Sequence, residues 1–428
     1  MSHSIPISTP STAAPDEKRP VPPALVAVGF VLMAVSFMIN AMDRQVFYPL
    51  LPEIRAELGI SLSQGGLLAT GFTLGLALAG IPAGYLVDRY SRKTVLLVSI
   101  LIYSVGTLAT PLAGGFADMG VYRVLSGAGE GMQAAALYAA IGAFFFLRRS
   151  LAFGTLGVAF GLGVFVGPLI GTDLSNAYQS WRAPFIAFGI VGLAVMVLIA
   201  LFVGKRLTDT VAGNADQLKE NYDYLPSSAY NRNTIALSIA AAAGGMVFYG
   251  FLGLYATYLR SELHFSVGQA AFATSMVGAG ATMSLPTGWL GDRFDQRKLL
   301  IITYIGVAVS GWLLFNGSSS PGYQYVLSFV MGTFAAGSLF TNVNSAMQRS
   351  VRPNHVGRTA GLFIFCYYIA AAISGFVFAE LVDAVGWKQA ALWQLTILPL
   401  LALVALWFID PAKIITSRNT TRSRSDET

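Results

Sequence analysis

Four ionisable side chains stand where such side chains are rare. Asp43 and Arg44 are neighbours in the apolar stretch 24–50, and Arg123 and Glu130 lie seven residues apart in the apolar stretch 117–145. Seven residues make almost two helical turns, so Arg123 and Glu130 share nearly one face. A charge in apolar surroundings is costly and by default faces a cavity or a solute path. A guanidinium grips a carboxylate through a planar fork of donors. A carboxylate withdrawn from water can exchange protons near neutral pH. Two permanent cations beside two protonatable carboxylates therefore suit proton-coupled binding of an anion. The plainer alternative is a charge-neutral network that only ties two helices together, but buried ion pairs are poor stabilisers.

Further polar candidates are milder. Tyr249, Tyr255, Tyr258, Asn342, Asn344, Tyr367 and Tyr368 can donate hydrogen bonds, and the tyrosines can also stack on a solute. An aromatic at helical spacing is more often packing or interfacial. Glu380 and Asp383 fall at a helix end and are expected to be solvated. His3, His264 and His355 share no helical spacing, and Cys366 is the only cysteine. Those facts leave neither a metal site nor a disulfide framework to expect. With no nucleotide loop or nucleophile constellation either, an enzyme is not expected, and no cofactor is called for.

The elements that position these residues follow from apolar length. The 428 residues are 55% hydrophobic and 11% charged, far below the roughly 25% charge of soluble domains. A bilayer-spanning helix needs about 20 mainly apolar residues. Twelve stretches qualify: 24–50, 63–87, 94–114, 117–145, 150–177, 182–204, 234–260, 266–290, 298–316, 322–347, 357–382 and 387–409. We read 1–22 as a polar tail, 23–204 as one six-helix bundle, 205–232 as a linker, 233–410 as a second bundle and 411–428 as another tail. Of the 27 Lys and Arg, 21 fall on the side of the two tails, four on the other side and two within spans. That bias predicts cytoplasmic termini, and it explains the net charge of +6 through anionic lipid rather than nucleic acid. At 1.5 Å per residue, Arg123 is expected about 9 Å in from the outer side, level with Asp43 and Arg44, and Glu130 about 20 Å in. The simple tails suggest a bacterial inner membrane, and a monomer is expected.

The two bundles repeat one another. Arg55, Glu57, Leu58, Ser61 and Gln64 recur as Arg260, Glu262, Leu263, Ser266 and Gln269, each 205 residues on. Gly84-Tyr-Leu-Val-Asp88-Arg89 recurs as Gly288-Trp-Leu-Gly-Asp292-Arg293. Two related halves place a solute site at their interface near the bilayer midplane. In these repeats a glycine permits close helix packing, and an Asp at a helix end can meet a helix N-terminus or basic residues. The fifth stretch carries Gly154, Gly163, Gly167, Pro168 and Gly171, small residues that allow tight helix contact around a bend.

Gly84-Tyr-Leu-Val-Asp88-Arg89-Tyr-Ser-Arg92-Lys93 resembles the loop signature of the major facilitator superfamily, with Ser91 where a glycine is usual. The resemblance covers all twelve stretches and implies an all-α membrane fold of two six-helix repeats. It further implies that Gly84, Asp88, Arg89, Arg92, Asp292 and Arg293 act as a cytoplasmic gate. Gly163, Gly167, Pro168 and Gly171 resemble the helix 5 motif of superfamily antiporters, with Thr172 replacing the final glycine. Met42-Asp43-Arg44 with Arg123-Val-Leu-Ser-Gly127-Ala-Gly129-Glu130 resembles the anion:cation symporter branch, and also the spinster branch of lipid transporters. By the first resemblance Arg44 contacts a substrate carboxylate, Asp43 and Glu130 take up protons, and Arg123 balances Glu130. The superfamily's cavity-lining helices 1, 4, 7 and 10 then bring Arg123, Tyr249, Tyr255 and Asn342 to the substrate, with Tyr367 from helix 11. The implied partners are a small, anionic solute, protons and membrane lipid. Lysolipid transport and proton-driven drug efflux are the competing readings.

Overall fold

The computed structural model describes residues 22–209 and 224–415, so the expected tails and the middle of the expected linker lie outside the described residues. The first half contains α1 (Pro23–Leu58), α2 (Leu62–Arg89), α3 (Arg92–Ala109), α4 (Phe116–Phe144), α5 (Arg149–Tyr178) and α6 (Arg182–Phe202). A five-residue helix, Lys205–Asp209, follows α6. The second half contains α7 (Arg232–Ser261), α8 (Val267–Ala281 and Ser284–Arg293), α9 (Gln296–Asn316), α10 (Pro321–Arg349), α11 (356–385) and α12 (387–407). α11 and α12 are separated by a break at Gly386, whose φ of 80° is in the left-handed region that glycine adopts without strain. Wide, π-type turns interrupt α10 at Thr333–Leu339 and α12 at Leu392–Ile397.

Among the described residues, nine segments are long and apolar enough to span a membrane on composition alone. The described residues nonetheless form the twelve long helices expected. α11 and α12 form one of those segments, α8 is broken at Thr282 and Met283, and α4 carries Asp118, Arg123 and Glu130.

The repeat noted in the sequence is a helix start. Ser61 accepts from the Gln64 backbone N–H at 3.1 Å while the Gln64 side chain accepts from the Ser61 N–H at 2.8 Å. Ser266 and Gln269 do the same at 3.2 and 3.0 Å. These reciprocal caps satisfy otherwise orphaned N–H groups and fix where α2 and α8 begin.

Within the first half, α4 is the central rod, packed on α2 and α3, while α1 packs on α5. In the second half α7 packs on α11, and α8 on α10. The halves meet along two seams, α2 on α11 and α5 on α8. Both seams are tightest at the end of the bundle where residues 22 and 415 lie, here called the tail end. There a methyl group on Gly361 would collide with the Gly80 carbonyl, and one on Gly288 with the Ser150 carbonyl. Moving about four turns away along α2 and α11, their stripe opens. A Cβ on Gly66 or Gly375 would meet nothing within 4 Å. Both seams are thus closed at the tail end, and the α2–α11 seam is parted at the other.

Candidate functional site

The four charges converge on the inner faces of α1 and α4. Arg44 donates to Glu130 Oε2 from both Nη2 (2.9 Å) and Nε (3.1 Å), and both side chains are buried. The remaining donors of Arg44 reach Asn40 Oδ1 in its own helix (3.3 Å) and two hydroxyls of the other half, Tyr368 (3.2 Å) and Tyr249 (3.4 Å). One guanidinium therefore ties a carboxylate of the first half to two tyrosines of the second. Asn40 also donates to Gln133 (2.8 Å), and Gln133 to Ser36 (3.1 Å).

Asp43 faces the other way, into the first half. Its Oδ2 accepts from Thr107 Oγ1 on α3 (2.8 Å) and Ser126 Oγ on α4 (3.1 Å), whereas Oδ1 is buried without a partner. Arg123 is 1% exposed. Its Nε and Nη1 have no hydrogen-bond partner, and its guanidinium lies over the rings of Phe72 (4.3 Å) and Phe47 (4.8 Å). The Arg44 guanidinium is also near Phe72 (5.8 Å), and near Phe160 and Tyr368 (5.4 Å each). Phe72 thus stands beside both cations.

Two expectations need correction. Arg44, and not Arg123, is the ionic partner of Glu130. Glu130 is also level with Arg44, and Arg123, seven residues earlier on α4, lies almost two turns nearer the end away from the tails, beside Phe47. The cause is the length of α1, which continues through Pro49 and Pro52 to Leu58 instead of stopping near residue 50. Arg44 and Glu130 are each fourteen residues from the helix ends away from the tails, Leu58 and Phe116, about 21 Å.

Of the second-half candidates, Tyr249 is at the site, and Tyr367 packs behind it with ring centroids 6.2 Å apart. Tyr255 is not at the site. It is 1% exposed and its hydroxyl is bonded to Gln324 (3.0 Å) and Ser328 (2.8 Å) inside the second half. Asn342 turns toward α8, donating to the Thr287 and Ser338 carbonyls. Phe72, Phe160, Asn40 and Gln133 escaped notice because an aromatic or an amide in an apolar stretch carries little contrast.

The tail-end contact between the halves is built twice. Asp88 accepts from the backbone N–H groups of Gly357 (2.7 Å) and Arg358 (3.0 Å), at the start of α11, and pairs with the Arg358 side chain (3.4 Å). Asp292 accepts from Ser150 and Leu151 (3.0 and 2.9 Å), at the start of α5, and pairs with Arg349. Each aspartate thus caps a helix of the opposite half, where the helix dipole favours negative charge. Gly84 abuts Gly357. The expected basic members are elsewhere. Arg92 holds the short helix through Asp209 and Thr208, Arg89 lies over Tyr90, and Arg293 over Trp289. Arg358, placed by sequence only among side-determining cations, pairs with Asp88 across the α2–α11 seam, and Arg349, placed the same way, pairs with Asp292 within the second half.

Gly163, Gly167 and Gly171 line α5 against Met38, Met42 and Val46 of α1. Pro168 falls within that contact. The glycine stripe has a packing role that does not depend on antiport. Among the described residues no group of His, Cys, Asp or Glu could hold a metal ion.

Comparison with known proteins agrees with this geometry. The sequence model of the Major Facilitator Superfamily matches residues 33–281 and again 237–425. A hexuronate transporter of Bacillus subtilis is 26% identical, over 82% of this chain and 86% of its own. A cis,cis-muconate transport protein of Acinetobacter baylyi is 24% identical, over 82% and 87%. The solved structure of the proton:xylose symporter XylE superposes with a TM-score of 0.73 at 14% identity, covering 90% of this chain and 95% of that one.

Proposed function

This chain belongs to the Major Facilitator Superfamily, and from that premise we propose that it carries a small organic anion across the membrane by alternating access, in step with protons. The fold and the relatives are those of multi-pass transporters and not of enzymes. The observation that carries the proposal is the Arg44–Glu130 pair, because the same guanidinium reaches Tyr249 and Tyr368 across the interface.

While Glu130 is ionised, it occupies the Arg44 fork. A proton on Glu130 removes its charge and frees Arg44 for the carboxylate of a solute. Proton and anion then enter together, and the site stays near neutrality. Arg123, already without hydrogen-bond partners at two nitrogens, supplies a second cation, and Asp43 supplies a second proton carrier behind it. The names of the relatives, a hexuronate and a muconate transporter, support an anionic solute. With the tail end cytoplasmic, as the 21-to-4 charge bias argues, the arrangement described is the outward-facing one.

The test is proton uptake on binding. Purified protein in weak buffer is mixed with a panel of glucuronate, muconate and benzoate, and the pH is followed. Binding should remove protons from solution in the native chain and not in Glu130→Gln. Binding without proton uptake in the native chain would refute the coupling.

A further inference from the structure

The walls around the two guanidiniums are aromatic. Phe72 from α2, Phe160 from α5, Tyr249 from α7 and Tyr368 from α11 surround Arg44. Phe340 from α10 stands edge-on to Tyr368 at 6.4 Å. These rings come from both halves, so they meet only at the interface. Tyr48, one turn beyond Arg44, is 50% exposed on the side toward which the halves part.

Neutral polar groups in this layer are few and mostly engaged, and the unbonded atoms beside them, Glu130 Oε1 and Arg123 Nε and Nη1, belong to the charges. Asn40, Gln133 and Ser36 bond to one another, and the hydroxyls of Tyr249 and Tyr368 accept from Arg44. A polyhydroxylated acid would bring several hydroxyls into this layer and find few neutral partners besides the two tyrosine hydroxyls, a loss of affinity for each hydroxyl desolvated unpaired. A flat, unsaturated acid has the opposite requirements. Its ring stacks or packs edge-on against the walls, lies over a guanidinium, and presents one carboxylate to the planar fork.

Resting on the anion-transport reading above, we infer that the substrate class is an aromatic carboxylate and not a sugar acid. Phe160 is a specificity-determining residue, since it offers a ring face 5.4 Å from the Arg44 guanidinium and is only partly buried.

The experiment is ligand binding to the purified full chain, followed by thermal shift and titration with benzoate, cyclohexanecarboxylate and glucuronate. Benzoate and cyclohexanecarboxylate match in size and charge and differ in the π face. Benzoate should bind about tenfold more tightly than cyclohexanecarboxylate, given the usual strength of aromatic pairs, and more tightly still than glucuronate. Phe160→Leu should narrow the benzoate-to-cyclohexanecarboxylate ratio toward one. A ratio within one variant is insensitive to how much of that variant folds. If glucuronate binds best, and its binding is lost in Arg44→Ala, this inference falls while the anion reading stands. If none of the three carboxylates binds, both fall.

Discussion

Arg44 and Glu130 hold each other only while Glu130 carries its charge. Removing one partner leaves the other buried and unpaired, which costs about 3–5 kcal/mol. Arg44→Ala should therefore lower the melting temperature as well as abolish carboxylate binding. The paired change Arg44→Gln with Glu130→Gln removes both charges, so stability should return while binding does not. If binding returned as well, Arg44 would be a structural tie and not an anion clamp. Arg123 differs, having no carboxylate within ion-pairing distance among the described residues. We expect Arg123→Leu to weaken carboxylate affinity with little loss of thermal stability, measured by the same titration. All four charges were legible in the sequence because each interrupts an apolar stretch. Their pairing was not, because it depends on where α1 ends, and nothing in 51–58 marks those residues as helical beyond the bilayer core. Tyr255 misled for the converse reason: its position on α7 fits the interface, but its hydroxyl is satisfied by Gln324 and Ser328.

At the scale of elements, the two aspartate caps set how readily the tail end opens. Asp292→Asn removes the charge that meets the α5 N-terminus and Arg349. A charge at a helix terminus in partly buried geometry is worth about 1–2 kcal/mol, so the closed population should fall about 5- to 30-fold relative to the open one. The check is thiol labelling from the tail-end side at Ser345→Cys, in a Cys366→Ser background. Ser345 is buried against Ser150 across the α5 seam. An unchanged labelling rate would mean that Asp292 is not a latch. The linker adds a bond of a different kind. Tyr230 contacts the Tyr85 hydroxyl at 3.1 Å, and that hydrogen bond pushes the Tyr230 phenol up to about 12. The Tyr230 phenol therefore stays protonated throughout the acid-to-neutral range and is not the source of a proton dependence there. The sequence repeat located both aspartates because the motif occurs twice. It did not reveal Arg358, on α11 across the seam from Asp88, or Arg349, on α10 in the same half as Asp292. The α5 glycines were visible too, but their neighbours on α1 show them serving close packing. Gly167→Val should overpack α1 against α5 by about 1–3 kcal/mol, with folded yield reduced.

At the scale of the whole molecule, the buried site lies between a tail end where both seams touch and an opposite end where the α2–α11 seam parts. A loaded anion should draw the parted ends together, so that the Arg44 layer is enclosed before the tail end opens. The two-half organisation was legible from the offset of 205 residues and from apolar length. Which end would be closed was not, since that depends on contacts between halves that no local pattern encodes. The claim on which the account rests is that Glu130 carries the proton that moves with the anion. The most direct test is uptake into proteoliposomes of the tightest-binding carboxylate from the titration, with the lumen held alkaline relative to the outside. The native chain should accumulate the acid against its gradient, and Glu130→Gln should exchange it across the membrane without accumulating it. Accumulation by Glu130→Gln at the native level would contradict the account.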